Sequence, residues 1–214
     1  MKIIITSATE FETEEAKKKI KSTKKIDISF SVTGIGMLAT AVNLTKIIYE
    51  QKPDLMIQAG IAGCFDEDIE LGKVVLIEKE FLGDLGVEEN SKWIDVFDLK
   101  LIEASQKPFN KKAIINKRIK QYNWGNLPIV NAVTVNQITT QPQHINQLIK
   151  KYKPTIESME GAALHYVCNS FNIPYLQIRS ISNYIGERDK TKWKMKLAIN
   201  NLNKGIREVI KLLN

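Results

Sequence analysis

Short apolar runs alternate with amphipathic segments along this chain, which predicts alternating strands and helices. The apolar runs predict strands over residues 2–7, 27–32, 55–59, 74–80, 127–135, 155–157 and 175–182. Helical spacing of apolar residues predicts helices over residues 11–21, after Gly36, over 143–152, over 160–171 and from about Thr191 onward. Such alternation is typical of α/β proteins. We therefore expect a three-layer sandwich, in which helices flank a central twisted, mostly parallel (mixed) β-sheet.

Three of the predicted helices carry defined apolar positions. One face of the helix after Gly36 holds Leu38, Ala41, Val42, Thr45, Ile48 and Tyr49. In the helix over 160–171 the residues expected to face inward are Ala162, Ala163, Tyr166 and Val167. The terminal helix is expected to cover the sheet with Met195, Ile199, Leu202, Ile206, Val209 and Leu213. Residues 81–106 show no regular period and predict an irregular segment, which in compact domains is often functional or mobile.

Composition narrows the class of protein. The 214 residues are 43% hydrophobic and 26% charged, which predicts a single domain over residues 1–214. The net charge is +7, but the lysines are scattered among acids, so we expect solvated surfaces and no nucleic-acid partner. Two isolated cysteines predict neither a disulfide scaffold nor a metal site. The first residues are too short an apolar run for a signal peptide, and no run is long enough to span a membrane, so a cytoplasmic protein without membrane association is expected.

Polar residues with chemical potential follow the predicted strands. Glu12 follows the first strand, Glu160 follows the strand at 155–157, and Arg179 lies inside the last strand ahead of Ser182 and Asn183. Ligands of open α/β sheets bind beyond the carboxyl ends of the strands, so these residues predict one site. Side-chain alternation predicts that Arg179 and Asn183 share a face and that Ser182 points the other way.

Each of these residues also has a structural interpretation. Glu12 and Glu160 are suited to pair with helix dipoles, and Arg179 to pair with a buried carboxylate while Asn183 caps a turn. The pair Gly34 and Gly36 suggests a dinucleotide-binding turn, but Ala39 stands where the third glycine belongs and no acid follows at the ribose position. A tight turn between strand and helix accounts for these glycines.

Several segments together resemble the nucleoside phosphorylase and nucleosidase superfamily over nearly the whole chain. They are ATEFE at 8–12, TGIG at 33–36, AGIAG at 59–63, LGKVV at 71–75, ESMEGAA at 157–163 and RSISN at 179–183. Two more segments, GDLGVEE at 83–89 and VTVN at 133–136, resemble the futalosine hydrolases of menaquinone biosynthesis within that superfamily. The resemblance implies a nucleoside phosphorylase-like fold.

The resemblance also implies roles for individual residues. Glu12 matches the carboxylate that activates water, and Glu160 matches the residue that accepts hydrogen bonds from the ribose hydroxyls. The remaining matches are Arg179 beside these carboxylates, Met159 against the sugar, Ser182 and Asn183 at the purine, Thr134 or Val135 lining the base pocket, and Gly60 and Ala62 bordering the substrate. The reaction implied is hydrolysis of an N-glycosidic bond without metal or cofactor. A homodimer or higher homo-oligomer is implied because the family completes its pocket with a neighbouring subunit.

The residue at 183 bears on the substrate. Relatives specific for adenine carry an aspartic acid there, whereas this chain carries Asn183. A carboxamide NH₂ offers two donors, which suit the N7 and O6 acceptors of a 6-oxopurine. We therefore expect hydrolysis of futalosine with release of hypoxanthine; the alternative is a nucleosidase for methylthioadenosine and S-adenosylhomocysteine or another purine nucleosidase.

Two further alternatives concern the nucleophile and the class of protein. The loop at 6–10 lacks the arginine with which phosphorylases of this superfamily hold phosphate, so water is the expected nucleophile. A ligand-binding or nucleic-acid-binding domain on the same fold is the alternative from another class.

Overall fold

The structure is a computed structural model that describes residues 1–90, 92–123 and 125–213. Its strands are β1 (Lys2–Ser7), β2 (Asp27–Val32), β3 (Leu55–Cys64), β4 (Val74–Leu82), β5 (Gly86–Glu89), β6 (Lys92–Asp95), β7 (Phe109–Asn110), β8 (Ala113–Ile115), β9 (Ile129–Thr134), β10 (Ile156–Ser158) and β11 (Tyr175–Tyr184). Its helices are α1 (Glu10–Lys19), α2 (Met37–Gln51), α3 (Ile119–Tyr122), α4 (Pro142–Tyr152), α5 (Gly161–Phe171) and α6 (Met195–Lys211).

The strands form a central mixed sheet in the order β2-β1-β3-β10-β9-β4-β8-β7. The pairs β1–β2, β1–β3, β9–β10, β4–β9 and β3–β11 are parallel, whereas β3–β10, β4–β11, β4–β8 and β7–β8 are antiparallel. Because β11 pairs with both β3 and β4, the sheet closes on itself through β3, β10, β9, β4 and β11. The predicted α/β fold with a mostly parallel, mixed sheet between helices is confirmed.

Helices cover the sheet on two sides. Helices α1 and α6 pack together on one side, and α2 and α5 pack together on the other. The predicted stripe of the terminal helix is buried at Leu202, Ile206 and Val209, where it packs on β3, β4 and β11. Among the described residues, no helix combines the length and the apolar character that crossing a membrane requires.

Helix α2 corrects the expected role of its apolar face. Leu38, Val42 and Tyr49 are 81%, 60% and 80% exposed, whereas Leu44 and Ile47 are buried. The helix therefore has two apolar rows: Ala41 and Ile48 of the predicted face pack in the core with Leu44 and Ile47, whereas the other three apolar residues of that face form an exposed row. Periodicity alone does not distinguish two such rows. Tyr166 of α5, which was expected to face inward, is 45% exposed.

The segment at 81–106 is more regular than predicted. Strands β5 and β6 form an antiparallel hairpin within it. The buried Asp95 at the end of β6 accepts hydrogen bonds from the Tyr152 hydroxyl at 2.9 Å and from Lys112 at 3.2 Å, and its carboxylate lies 2.9 Å from the Lys151 ammonium. These contacts hold the hairpin against α4. The segment is therefore ordered by side-chain bonds between residues far apart in the chain, and such bonds produce no regular spacing of apolar residues in the sequence.

Candidate active site

A cavity of about 310 Å³ opens where β1, β3, β10 and β11 end. Its polar wall contains Thr9, Glu12, Glu157, Ser158, Glu160, Ser182 and Asn183. Its apolar wall includes Phe11, Ile35, Ile138, Ile185, Trp193 and Met195. The structure therefore brings the predicted polar residues together at the strand ends. Among the described residues that line the cavity, none is a lysine or an arginine.

Glu12 is held at the third position of α1 and is buried. The Thr9 backbone N–H donates to its Oε2 at 3.1 Å, and the Ile61 backbone N–H donates to its Oε1 at 3.1 Å. Burial raises the pKa of the Glu12 carboxyl, while the Arg179 charge and these two backbone donors partly oppose that rise. The result is a fixed carboxylate that is a stronger base than an exposed one.

Glu160 lies at the N-terminus of α5 and faces the same cavity. The Gly36 backbone N–H donates to its Oε1 at 3.1 Å, and the Arg179 Nη1 lies 3.6 Å from its Oε2. Gly36 has a φ of 87°, a left-handed conformation that a side chain disfavours. The turn glycine suggested by the sequence thus brings its backbone to a carboxylate of the site.

Arg179 lies behind the cavity wall, 1% exposed. Its Nη2 donates to the Gln58 Oε1 at 2.8 Å, and its Nη1 donates to the Ile61 carbonyl at 3.5 Å. Gly60 leaves room for the guanidinium, since a Cβ there would lie 2.2 Å from Nη1 and 3.0 Å from the Glu12 Oε1. The predicted pairing of a buried arginine with buried carboxylates is therefore present, and Gly60 makes it possible.

Ser182 and Asn183 both line the cavity, which corrects the prediction that they point in opposite directions. The pairing of β11 with β3 shifts register between Ile181 and Asn183, a β-bulge that interrupts side-chain alternation. The Ser182 hydroxyl donates to the Asn183 Oδ1 at 2.8 Å, and the Asn183 Nδ2 donates to the Tyr184 carbonyl at 3.1 Å. One N–H of the carboxamide is thereby engaged, which leaves the other for a ligand.

Glu80 is a buried carboxyl behind the site that sequence analysis did not identify. The Thr134 hydroxyl donates to its Oε2 at 2.9 Å, and the Gln177 Nε2 donates to its Oε1 at 2.8 Å. Burial raises the pKa of Glu80 to about 7, although the two hydrogen bonds and the Arg179 charge lower it. A Cβ at Gly161 would lie 2.0 Å from the Glu80 Oε1, so the glycine at the start of α5 admits this carboxyl.

Glu157 is a second carboxylate that sequence analysis did not single out as a site residue. It lies on β10, lines the cavity and is 5% exposed. The signal that drew attention to Arg179, a charged residue within a predicted buried strand, also applies to Glu157.

The other predicted residues divide into two groups. Met159 and Ala62 line the cavity. Gly60, Thr134 and Val135 do not line the cavity. The Thr134 hydroxyl accepts a hydrogen bond from the Ala162 backbone N–H at 2.8 Å. Val135 is fully buried. The neighbouring segment contributes Ile138 to the cavity in their place.

A larger concavity of about 710 Å³ lies elsewhere, beside the C-terminal part of α5. Its lining includes Lys107, Lys117, Arg118 and Asn169, and among the described residues that line it none is acidic. It therefore lacks a carboxylate base, so the smaller cavity is the candidate site.

The sequence and the fold both match known proteins. Residues 2–213 match the model of the phosphorylase superfamily. The chain is 27% identical over 179 residues to a futalosine hydrolase of Thermus thermophilus, an alignment that covers 83% of this chain and 79% of the relative. It is 25% identical over 185 residues to a 5′-methylthioadenosine/S-adenosylhomocysteine nucleosidase of Tolumonas auensis, covering 81% of this chain and 75% of the relative.

Solved structures share the fold. The futalosine hydrolase of Helicobacter pylori superposes with a TM-score of 0.82 at 16% identity, over 99% of this chain and 97% of that one. The methylthioadenosine/S-adenosylhomocysteine nucleosidase of Colwellia psychrerythraea, solved with adenine, gives a TM-score of 0.82 at 21% identity, over 100% of this chain and 96% of that one.

Proposed function

The chain belongs to the phosphorylase superfamily and is an N-glycosyl hydrolase of the nucleosidase type, and we propose that its substrate is futalosine, which it hydrolyses with release of hypoxanthine. The observation that carries this proposal is the pair of buried carboxylates, Glu12 and Glu160, that face one cavity with Asn183 on its wall.

The two carboxylates suit the charge that develops during glycosidic cleavage. The bond breaks through an oxocarbenium-like sugar, which carries positive charge at the anomeric carbon. Glu160 accepts hydrogen bonds from the ribose hydroxyls and places negative charge beside that cation. Glu12 takes the proton of the attacking water, and its raised pKa makes it the stronger base for that transfer.

Arg179 keeps this pair of acids ionised inside the protein. Two carboxylates at one buried site repel each other, and an unpaired buried charge is costly. The guanidinium lies 3.6 Å from Glu160 and lowers the pKa of Glu12, so it offsets both costs from behind the cavity wall. It leaves the cavity face of both acids free for sugar and water.

Water is the nucleophile in this proposal. A phosphate dianion needs cations or several N–H donors around it. Glu12 and Glu160 would repel a phosphate, and no lysine or arginine is among the described residues lining the cavity. This arrangement favours hydrolysis over phosphorolysis.

Asn183 supports a 6-oxopurine as the leaving group. Its free N–H suits the O6 acceptor, where adenine carries an amine instead, and the hydrogen bond from Ser182 fixes the orientation of the carboxamide. An aspartic acid would instead hold a proton that adenine can accept at N7 while the other oxygen accepts from the exocyclic amine.

The decisive experiment compares two substrates on the native enzyme. We expect hypoxanthine release from futalosine to exceed adenine release from methylthioadenosine by at least about tenfold in kcat/KM, the size of one discriminating polar contact. Asn183→Asp should narrow that ratio by raising adenine release. A native preference for methylthioadenosine, or an Asn183→Asp variant that gains nothing on adenine substrates, contradicts the assignment.

A matched variant separates an enzyme from a binding protein of the same fold. Glu12→Gln keeps the size of the side chain and removes the base, so turnover should fall by about 10² to 10⁴. Binding of hypoxanthine should be retained, as measured by calorimetry. Turnover that survives Glu12→Gln would exclude Glu12 as the base.

A further inference from the structure

Glu160 stands at the N-cap position of α5 without capping that helix. A polar side chain at this position commonly accepts a hydrogen bond from the backbone N–H of the second or third helical residue, here Ala162 or Ala163. Within α5, all of whose residues the structure describes, the Glu160 side chain accepts no such bond. Its carboxylate turns instead to the Gly36 N–H at 3.1 Å and the Arg179 guanidinium at 3.6 Å. Other groups must therefore pair the N–H groups at the start of α5.

Two hydroxyl groups from outside the helix cap α5. The Ser158 hydroxyl at the end of β10 accepts from the Gly161 backbone N–H at 3.3 Å. The Thr134 hydroxyl at the end of β9 accepts from the Ala162 backbone N–H at 2.8 Å. The first two N–H groups of α5 are thus paired, and neither of them needs the Glu160 carboxylate.

Glu80 fixes the direction of the Thr134 hydroxyl. The Thr134 Oγ1 donates to the Glu80 Oε2 at 2.9 Å. Since a hydroxyl has a single proton, this bond commits the proton to Glu80 and leaves the oxygen lone pairs for the Ala162 N–H. All three residues are buried, so water competes little for these groups.

Glu80 is itself held against the start of α5. The Gln177 Nε2 donates to its Oε1 at 2.8 Å. The same Oε1 lies so close to Gly161 that a Cβ at this position would overlap it. The carboxyl group, the Thr134 hydroxyl and the first turn of α5 therefore form one buried arrangement with fixed geometry.

We propose that Thr134 and Glu80 are positioning residues for Glu160, which cap α5 from outside and so keep the Glu160 carboxylate free for the sugar. This inference rests on the proposed function, in which Glu160 accepts hydrogen bonds from the ribose hydroxyls. Without the Thr134 hydroxyl, the Ala162 N–H would be buried and unpaired, which costs free energy. The Glu160 carboxylate would then turn to that N–H and leave the Gly36 N–H and the ribose.

The test separates contacts with the sugar from contacts with the base. The kcat/KM for futalosine depends on Glu160 at the ribose, whereas calorimetric binding of free hypoxanthine does not. Thr134→Val keeps the shape of the side chain and removes the hydroxyl. We expect kcat/KM to fall at least about tenfold, the size of one hydrogen bond to a charged group, while the Kd of hypoxanthine stays within about twofold. Thr134→Ser restores the hydroxyl and should recover most of the loss.

Variants at residue 80 test the second positioning residue. Glu80→Gln keeps an oxygen that accepts from Thr134, and its amide can donate to the Gln177 Oε1, which has no hydrogen-bond partner among the described residues. Its kcat/KM should stay within about threefold of the native value. Glu80→Met removes the acceptor and should lower kcat/KM while sparing hypoxanthine binding. Ser170→Ala, which removes a hydroxyl from the exposed far end of α5, is the control and should change neither quantity.

A crystal structure of Thr134→Val gives a readout that needs no substrate. We expect the Glu160 carboxylate to accept from the Ala162 N–H and to release the Gly36 N–H. A carboxylate that keeps its native position would contradict the inference. If the native protein releases no hypoxanthine from futalosine, the proposed substrate fails, and this structure still decides the role of Thr134.

Two kinetic results would also overturn the inference. One is a Thr134→Val variant that retains the native kcat/KM. The other is hypoxanthine binding that weakens in parallel with kcat/KM, because a general structural role would affect sugar and base alike. If Thr134→Val does not fold, equal kcat/KM values for Glu80→Gln and Glu80→Met overturn the inference instead.

Discussion

At the scale of single residues, the site is organised around the Arg179 charge. Its charge lowers the pKa of both Glu12 and Glu80, and it lies 3.6 Å from Glu160. One guanidinium therefore faces three buried carboxyl groups. Burial raises the pKa of Glu80, which is fully buried and does not line the cavity, to about 7, although two hydrogen bonds and the Arg179 charge lower it.

The raised pKa of Glu80 predicts how stability depends on pH. Between the ordinary pKa of 4.5 and about 7, the unfolded chain has released the Glu80 proton that the folded protein retains. The free energy of unfolding should therefore fall as pH rises through this window. Glu80→Gln has no proton to release, so its stability relative to the native protein should grow by about 2–3 kcal/mol from pH 5 to pH 8.

Urea unfolding at the two pH values measures this difference. Glu50→Gln, at an exposed position on α2, is the control and should show no comparable growth. If Glu80→Gln and the native protein keep the same stability difference at both pH values, Glu80 does not titrate in this window.

The sequence located part of the site. Glu12, Glu160 and Asn183 were found because each stands next to a predicted strand end, a position that the chain order alone reveals. Glu80 and Glu157 also stand at the ends of predicted strands, over 74–80 and 155–157, but no motif drew attention to them, and their contacts with the site exist only once β4 and β10 enter the sheet. Tertiary pairing brings them in, so local pattern did not identify their roles.

At the scale of elements, three helices end in a left-handed residue. Lys52 after α2, Lys153 after α4 and Asn172 after α5 have φ values of 49°, 47° and 55°. Asparagine tolerates this conformation, but lysine carries a steric cost of about 1–2 kcal/mol there, which glycine avoids. The ends of α2 and α4 therefore store avoidable strain.

Lys153→Gly should stabilise the protein. Relief of the strain is partly offset by the greater freedom of glycine in the unfolded chain, so we expect a net gain of about 0.5–1 kcal/mol and a rise in Tm of about 1–4 °C. The same substitution three residues earlier, Lys150→Gly, lies inside α4 and should lower Tm. Calorimetry on both variants checks the opposite signs; a fall in Tm for Lys153→Gly would contradict the prediction.

The sequence predicted the main elements better than their details. Strands β1 and β2 have the predicted bounds, and the terminal helix buries Ile199, Leu202, Ile206 and Val209 of its predicted stripe. The bulge in β11 and the hairpin of β5 and β6 were missed, because the register with β3 and the ion pairs of Asp95 create them. Neither the bulge nor the hairpin produces a regular spacing of apolar residues, so the sequence pattern does not predict them.

At the scale of the whole molecule, an apolar surface adjoins the cavity. Leu38, Val42 and Tyr49 form an exposed row on α2. Phe11 and Ile35, each 64% exposed, line the cavity and extend apolar surface to its rim. Exposed apolar surface of this kind is typical of an interface. We propose that a second copy of the chain covers this face and closes the rim of the cavity.

Val42→Asp should disrupt that assembly. A buried unpaired charge at an interface is costly, so sedimentation velocity should show a dimer for the native protein and a monomer for the variant. Loss of the dimer should also raise KM, because the rim stays open. Lys204→Asp, an exposed position on α6 on the other side of the sheet, is the control. A native protein that remains monomeric at micromolar concentration would refute this arrangement.

The close approach of Arg179 to Gly60 links two positions that lie far apart in the chain. A Cβ at 60 would lie 2.2 Å from the guanidinium, so residue 60 cannot gain a side chain while the arginine is kept. In a combinatorial library that randomises both codons, we expect survivors to retain the glycine with the arginine or to pair a larger residue at 60 with a shorter one at 179. A lineage that loses the glycine would therefore first have to lose the arginine.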